Sequence, residues 1–436
     1  MKSSSVSTKQ QRIAELAARH PDVSFTSLAY HVDVEWLREA YRRTRKSGAA
    51  GVDEMTAREY EEGLEDRLKD LLDRFKSGRY YAPPVKRAYV PKDGKRGEKR
   101  PIGIPTFEDK ILQRAVAMLL EPICEHDFLD CSYGFRPGRS PHGALEALWK
   151  AIMDMGGQAV VLEIDIRRYF DTLKHAHLRE ALKRRVCDGV VIRAIGKWLN
   201  AGVMERGQVH YPEDGSPQGG VISPLLSNIY LHEVLDTWFE RDIVPRLHGR
   251  ARLIRFADDA VIVFEKRYDA QRVHEVLPRR FAKYGLELHP EKTCLVAFGK
   301  PVENEEGSKG PETFDFLGFT HYWGKSRRGS YVVKRKTAKQ RLKRSIRRVY
   351  QWCRANRHES LPYQQAALRR KVVGHYQYFG VTCNSRSLLQ YYQAVTLSWR
   401  KWLNRRTDKA GMTFEKFALV LNRYPLPRPR ITHSYA

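Results

Sequence analysis

Paired cysteines, long apolar runs and acidic residues near the end of the chain are all scarce in this sequence. The six cysteines are scattered and form no CxxC pair, so we expect neither a zinc site nor a disulfide framework. Reduced core thiols in a cytoplasmic protein are expected instead. No apolar run reaches about 18 residues, and residues 1–20 lack a secretory core, so we expect no transmembrane helix and no signal peptide.

The scarcity of acids is confined to the last quarter of the chain. Residues 321–436 contain 27 lysines and arginines but only three acids, while the whole chain has a net charge of +27. A solvated surface usually mixes both signs, so this excess indicates a polyanionic partner. The basic residues alternate with tyrosine and tryptophan, and no lipid-anchor sequence is visible, which favours nucleic acid over a membrane surface.

The most informative stretch is Arg252–Phe264, RLIRFADDAVIVF. Its two apolar runs predict a buried hairpin with Asp258 and Asp259 at or beside the turn. Adjacent carboxylates repel each other and lose hydration there, which is costly unless a cation is bound. Oxygen ligands of this kind suit Mg²⁺. The alternative is a solvated turn, because Asp is common in turns.

Residues 159–170 predict a second strand, with Asp165 in its second half. A lone acid in an apolar strand needs a partner, and a metal shared with Asp258 would supply one. The succession of strands and helices predicts a split βαβ sheet that brings these two acids together. A helix is expected near Asp171, which is itself a candidate N-cap.

Three further segments carry candidate ligand contacts. Residues 85–105 predict a hairpin with a basic tip, suited either to a triphosphate or to protection of an exposed sheet edge. The loop 132–145 is basic and rich in Gly and Pro, and could lie on a nucleic-acid backbone or form a plain turn. Residues 210–230 predict a glycine-rich loop followed by a helix, and the glycines would let the backbone approach a ligand closely.

The remaining predictions concern the second half of the chain. Residues 286–299 predict a strand pair with Lys292 at its turn, and residues 311–324 a short hairpin. The tail from Lys334 to Arg406 is predicted to be helical, with one apolar stripe and otherwise basic faces. Part of its tyrosines and tryptophans is expected to lie in the core, and part could stack on bases or pack on sugars. A basic helical bundle of this kind would suit binding to a nucleic-acid duplex.

Seven sequence blocks in a fixed order carry a family resemblance: VPKDGKRGEKRPIGIP, SYGFRPGRS, EIDIRRYF, GSPQGGVISPLLSNIYL, RFADD, HPEKT and FLGF. The chain closely resembles the reverse transcriptases encoded by bacterial mobile group II introns, with a maturase-type thumb behind them. The resemblance implies an α/β protein of the α+β type, built as a right-hand polymerase. It implies an N-terminal helical extension that leads into the fingers (1–84), fingers and a ferredoxin-like palm (85–325) and an α-helical thumb (326–436).

The resemblance also implies roles for single residues. Asp165, Asp258 and Asp259, with the carbonyl of Ile166, would hold two Mg²⁺ ions, for which Mn²⁺ could substitute. The nucleotide pocket would include Lys92, Arg100, Ile166, Phe170 as the gate against a ribose 2′-hydroxyl, Gln218 and Lys292. Primer and template contacts would come from Arg136, Arg139, Phe316, Leu317, Gly318, Lys343, Arg344 and Arg347.

Two departures from the family pattern qualify these expectations. Phe256 stands where the family usually has Tyr, which should alter nucleotide or primer contacts without abolishing metal binding. The sequence contains no Cys/His cluster of the endonuclease type, so no endonuclease domain is expected. The expected partners are intron RNA, an RNA template, a DNA primer or target and dNTPs, and a homodimer stays open.

Three functions remain open at this stage. The first is an RNA-directed DNA polymerase that also assists the splicing and retrohoming of its own intron RNA. The second is a splicing-only maturase, against which the intact acids argue. The third is a reverse transcriptase recruited to host defence or DNA repair, whose chemistry would be the same.

Overall fold

The computed structural model describes residues 3–91, 99–156, 158–211, 214–215, 219–301, 312–406 and 411–434. The chain forms two compact units. The first contains residues 1–144 and 162–295, and the second contains residues 145–161 and 296–436. The domain boundaries expected from the sequence, at 84/85 and 325/326, stay predictions.

Helices account for most of the part of the chain that the structure describes. They are α1 (Ser3–Arg19), α2 (Val34–Arg43), α3 (Ala57–Glu61), α4 (Leu64–Lys76), α5 (Phe107–Asp127), α6 (Pro141–Asp154), α7 (Tyr169–Thr172), α8 (His175–Lys183), α9 (Gly189–Leu199), α10 (Ser223–Leu231), α11 (Arg267–Lys283), α12 (Lys339–Ala355), α13 (Leu361–Phe379), α14 (Ser385–Leu403) and α15 (Phe414–Arg423). Two π-helical segments, His232–Asp236 and Phe239–Ile243, follow α10.

The strands form two four-stranded sheets, one three-stranded sheet and one two-stranded pair within the described residues. They are β1 (Val85–Pro91), β2 (Lys99–Ile104), β3 (Val160–Ile164), β4 (Ile166–Arg167), β5 (Val203–Glu205), β6 (Gln208–His210), β7 (Ala251–Phe256), β8 (Asp259–Phe264), β9 (Glu287–Leu288), β10 (Cys294–Ala297), β11 (Phe314–Phe316), β12 (Phe319–Lys325) and β13 (Tyr331–Thr337).

One sheet has the strand order β10-β3-β8-β7. Helices α7 to α10 lie between β3 and β7 in the chain, and α11 lies between β8 and β10. This β-α-β-β-α-β succession is the split βαβ layout predicted from the sequence, and it makes β3 and β8 neighbours. Antiparallel pairing of β7 with β8 confirms the predicted hairpin. The helix-plus-sheet content confirms the α+β class.

A second sheet has the order β2-β1-β5-β6. Strands β1 and β2 are antiparallel: Lys86 faces Ile104 at one end of the ladder, and Pro91 faces Lys99 at the other. This pairing confirms the hairpin predicted over residues 85–105. Its tip, including Lys92, lies outside the described residues.

Three local predictions for the first unit were wrong. Residues 1–24 are polar, which predicts a frayed or weakly helical segment, but α1 is a packed helix that buries Val6, Ile13 and Ala17. The Gln10 amide on the same helix donates to the Met118 carbonyl at 3.0 Å. Residues 286–299 do not form a strand pair: β9 pairs with β4, while β10 lies beside β3.

The third wrong prediction concerns the helix after β4. Helix α7 begins at Tyr169, and Arg168 in the left-handed region (φ +47°) precedes it. Asp171 therefore lies within the helix and is not its N-cap.

In the second unit, β11, β12 and β13 form an antiparallel sheet. The predicted hairpin of β11 and β12 is confirmed, but the helical tail begins at Lys339 and not at Lys334. The segment YVVKRKT has three apolar residues followed by three basic ones, so its sequence shows no strand period. Its alternation appears only in the burial, because Val333, Arg335 and Thr337 are buried.

The core of the second unit is formed by one face of each of α12, α13 and α14, closed by α15. Tyr376, Tyr391, Trp399 and Trp402 are buried in it, and Tyr392 packs against it. Tyr378 is half-buried, and its hydroxyl donates to the Leu317 carbonyl at 3.0 Å. The aromatic residues of the tail are therefore mainly core residues.

No disulfide joins the six cysteines, all of which lie in the described part of the chain. Only Cys124 and Cys353 are buried, whereas Cys187 and Cys383 are exposed, so the expectation that all are core thiols was wrong. Among the described helices, none combines the length and hydropathy of a membrane span.

Candidate active site

The site is built around the turn between β7 and β8. Phe256 pairs with Asp259 across the hairpin, so Ala257 and Asp258 form a two-residue turn. Ala257 lies in the left-handed region with φ +56°, which costs a residue with a Cβ about 1–2 kcal/mol. Asp258 is half-buried, and Asp259, the first residue of β8, is exposed.

The third predicted carboxylate was expected within a strand, but it lies just after the neighbouring strand β3, which ends at Ile164. Asp165 directly follows β3, which is hydrogen-bonded to β8. Burial raises the pKa of Asp258, and the negative charge of Asp165 raises it further, while Arg100 acts in the opposite sense. Residues from β2, β3 and the β7–β8 turn therefore act on one carboxylate, although 93 positions separate Asp165 from Asp258.

Asp165 is held from the segment after β9. The Lys292 ammonium lies 2.7 Å from its Oδ2 atom. The backbone N–H of His289 donates to its carbonyl at 2.8 Å. Lys292 was predicted to belong to the nucleotide pocket, and in this structure its ammonium pairs with the Asp165 carboxylate.

Carboxylate and backbone carbonyl oxygens are the ligands that Mg²⁺ and Mn²⁺ prefer. The structure does not gather a ready-made metal trio of His, Cys, Asp or Glu within the described residues. Burial and the neighbouring Asp165 carboxylate both raise the pKa of Asp258 and so disfavour its negative charge. A divalent cation between Asp165 and Asp258 would compensate it, so the residues present fit such an ion.

Phe170 lies in α7, five positions after Asp165, and is half-buried. The backbone at Gly215 packs against it: a Cβ at Gly215 would lie 2.9 Å from the Phe170 carbonyl oxygen. The Gly215 N–H also donates to the Leu173 carbonyl at 2.8 Å. Gly215 is thus anchored beside Phe170, whereas Gln218, three positions further along the chain, lies outside the described residues.

Gly219 is anchored in the same way on β2. A Cβ at Gly219, which has φ +117°, would lie 2.4 Å from the Gly103 carbonyl oxygen. The sequence suggested that these glycines allow close approach to a ligand. In the structure, Gly215 and Gly219 allow close approach to the protein's own backbone.

The loop after α5 lies directly against the acidic turn. Its residues 131–134 run beside β7, with the Tyr133 N–H donating to the Arg255 carbonyl at 2.8 Å. A Cβ at Gly134 would lie 2.3 Å from the Ala257 nitrogen. Only glycine allows this contact.

The two arginines predicted from this loop to contact nucleic acid have different environments. The Arg136 guanidinium is buried and donates to Glu125 and to three backbone carbonyls. Arg139 is half-buried and pairs with the exposed Asp130 at 2.5 Å. Arg136 therefore supports the loop from within, and we leave it out of the proposed nucleic-acid contacts.

Phe135 lies at the surface of the same loop. It is 59% exposed and has φ +57°, an unusual backbone conformation for an aromatic residue. Its ring centroid lies 6.5 Å from that of Phe256, directly before the acidic turn. Sequence reasoning did not single out Phe135.

Sequence reasoning also missed a buried polar network under the turn. Arg255 and Asp236 are both fully buried and form an ion pair at 2.5 Å. Ser132 and Asn228 complete the network. The signal was present in RLIRF, where a charge interrupts an apolar strand just as Asp165 does.

In the second unit, the predicted primer-contact residues form the turn between β11 and β12. Leu317 (φ +49°) and Gly318 (φ +81°) make a two-residue turn in which both φ angles are positive. Phe316 is buried, whereas Leu317 and Gly318 are half-buried. On α12, Lys343 and Arg347 are exposed and Arg344 is half-buried.

Residues 90–321 match the family described as reverse transcriptase (RNA-dependent DNA polymerase). Protein YkfC of Escherichia coli K12 is 39% identical over 291 residues, which cover 59% of this chain and 75% of YkfC. The group II intron-encoded protein LtrA of Lactococcus lactis is 36% identical over 245 residues, which cover 56% of this chain.

The chain spans 36% of the length of LtrA, so the match is to a part of that protein. A putative COX1/OXI3 intron 1 protein of Saccharomyces cerevisiae is 32% identical over 48% of the chain and is covered over 24% of its length. With more than half of its length matched to the family, this chain belongs to the reverse transcriptases, of the group II intron reverse transcriptase/maturase kind.

Proposed function

We propose that the chain extends a primer on an RNA template, using dNTPs and two divalent ions held by Asp165, Asp258 and Asp259. The observation that carries the proposal is the placement of Asp165 and Asp258 at the ends of the neighbouring strands β3 and β8, where the charge of one acts on the other. Reverse transcriptase domains generally use divalent metal ions. Two ions would lower the pKa of the primer hydroxyl and neutralise the leaving pyrophosphate.

The protein's own residues hold the nucleotide against this site. Arg100 at the edge of β2 is exposed and acts electrostatically on Asp258, so it can bind a triphosphate at the metal. We assign Lys92 and Gln218 to the same pocket and the Ile166 carbonyl to the metal. Phe170 would exclude a ribose 2′-hydroxyl, with its backbone held by Gly215.

We assign residues 85–325 to fingers and palm, residues 326–436 to the thumb and residues 1–84 to an extension that leads into the fingers. The thumb assignment rests on the helical core of α12 to α15 and on the basic face of α12, where Lys343 and Arg347 are exposed. The turn at Leu317 and Gly318 is assigned to the primer.

A second function, binding of group II intron RNA to promote splicing and retrohoming, is supported by that basic face and by the named relatives. LtrA is described as a group II intron-encoded protein, and several further relatives are described as intron proteins. A reverse transcriptase recruited to defence or DNA repair would have the same site. Intron RNA sequence flanking the gene would favour the splicing role.

Primer extension on an RNA template tests the first proposal. Wild type should extend with Mg²⁺ and dNTPs, and Asp165→Asn should not. Asp66→Asn removes a carboxylate from the surface of α4, where its side chain is 90% exposed, and should extend like wild type. Extension by Asp165→Asn at the wild-type rate would refute the assignment.

A further inference from the structure

The Arg255–Asp236 pair is an unusual feature of the strand beside the acidic turn. Both side chains are fully buried. Burial alone would raise the pKa of Asp236, but the Arg255 guanidinium outweighs it and holds the pKa of this carboxyl below its usual range. Since a buried ion pair is often no more stable than apolar residues of similar size, this pair calls for an explanation other than stability.

The guanidinium uses all five of its N–H groups. Nε and Nη2 donate to the two carboxylate oxygens of Asp236 at 2.7 and 2.5 Å. Nη2 also donates to the Ser132 hydroxyl at 2.8 Å, and Nη1 to the Asn228 side-chain oxygen at 3.0 Å. The fifth bond, from Nη1, goes to the Ala257 carbonyl at 3.0 Å.

The Ala257 carbonyl belongs to the left-handed residue of the acidic turn. The direction of this peptide group sets the direction of Asp258, the next residue. Gly134 also holds the turn, because it packs against the Ala257 nitrogen. Asn228 links this contact to the guanidinium, because its amide donates to the Gly134 carbonyl at 2.7 Å.

The π-helical segment after α10 brings a further residue into this network. Asn228 lies in α10, while Asp236 is the last residue of the π-helical segment His232–Asp236. The wider i→i+5 turns shift the following residues around the helix axis relative to an α-helix, and such segments are frequent at functional sites. Here both Asn228 and Asp236 reach the same guanidinium.

We infer that Arg255 is a positioning residue for polymerisation: with Asp236 it fixes the Ala257 carbonyl and thereby orients Asp258 and Asp259 toward the metal. The inference rests on the proposed function of that turn. Ser132 and Asn228 take part in the same network. All four side chains are fully buried, so they act on the site through the backbone of the turn and not by contact with substrate.

Two variants separate positioning from stability. Arg255→Lys keeps the charge, but an ammonium cannot reach Asp236, Ser132, Asn228 and Ala257 together. The double variant Arg255→Met/Asp236→Leu removes both charges, which keeps a buried site stable, but it leaves the Ala257 carbonyl without its donor. Both should bind primer–template RNA/DNA like wild type.

The matched control is Arg185→Lys in the same unit. The Arg185 guanidinium also pairs with a carboxylate, Asp127 at 2.9 Å, and donates to the backbone carbonyls of His20, Pro21 and Val23. It shares no residue with the acidic turn. Its replacement should lower the melting temperature without changing nucleotide addition by the folded protein.

Single-turnover nucleotide addition, Mn²⁺ binding followed by the EPR signal of free Mn²⁺, and thermal unfolding are measured for all four proteins. Both Arg255 variants should lose about 100-fold in rate and bind Mn²⁺ about tenfold more weakly, with the double variant melting near wild type. Wild-type Mn²⁺ affinity in the double variant, or a rate loss matched by Arg185→Lys, would overturn the inference. If wild type did not extend the primer, the proposed function would be refuted. The positioning role would still be tested, because Mn²⁺ binding by wild type and variants can be compared without polymerase activity.

Discussion

Replacing Gly134 by Ala should displace the turn that carries Asp258, although Gly134 is not itself a catalytic residue. The added Cβ would lie 2.3 Å from the Ala257 nitrogen and 3.0 Å from both the Ala257 Cα and the Phe256 carbonyl carbon. Ordinary contact begins at 3.4 Å, so loop and turn must separate by about 1 Å. The atoms in contact are backbone on both sides, so no flexible side chain can absorb the shift.

A 1 Å displacement of reacting groups lowers a rate by about 100-fold, and overpacking costs about 1–3 kcal/mol of stability. We expect Gly134→Ala to lose about 100-fold in the rate of single-turnover primer extension. Its unfolding free energy, measured by urea titration, should fall by about 1–3 kcal/mol. Gly143→Ala in α6 is the control, because its Cβ would meet nothing closer than 3.5 Å. A wild-type rate in Gly134→Ala would refute the link between this loop and the turn.

Three further variants test other parts of the account. Phe170→Ala should raise ribonucleotide incorporation relative to dNTP incorporation in primer extension, and unchanged selectivity would remove the gate assignment. Lys343→Ala/Arg347→Ala should reduce the slope of log affinity for RNA against log salt by about 2, whereas loss of Lys69, an exposed lysine of α4, should leave it unchanged. Burial raises the pKa of Asp109 to about 7, so the folded chain retains a proton that the unfolded chain releases near pH 4. Stability should therefore fall as pH rises from about 4 to 7, by an amount on the order of 4 kcal/mol. Asp109→Asn should flatten this dependence in urea titrations, and a parallel dependence would contradict it.

The sequence predicts the acidic hairpin because its signals are local. RLIRFADDAVIVF combines β-branched runs with a short polar turn, and the observed turn falls at Ala257 and Asp258. Asp165 could be assigned in the same way, since a lone acid in an apolar strand stands out. The sheet order that joins the two follows from the alternation of strands and helices.

What the sequence could not supply are contacts between distant segments. Nothing local pairs Arg255 with Asp236, since the pairing depends on the π-helical turn after α10. Position 134 likewise requires glycine because its backbone lies close to Ala257, which is more than a hundred positions away in the sequence. Strand β13 was missed because its basic residues matched the composition of the helices that follow.

We propose that the turn carrying Asp258 and Asp259 is the metal-binding centre of an RNA-directed DNA polymerase. Primer extension on an RNA template with dNTPs and Mg²⁺ tests it most directly, comparing wild type with Asp258→Asn/Asp259→Asn. We expect extension by wild type alone, with equal RNA binding by both proteins. Extension by both would place the centre elsewhere, and RNA binding without extension by either would contradict the polymerase and favour a splicing-only maturase.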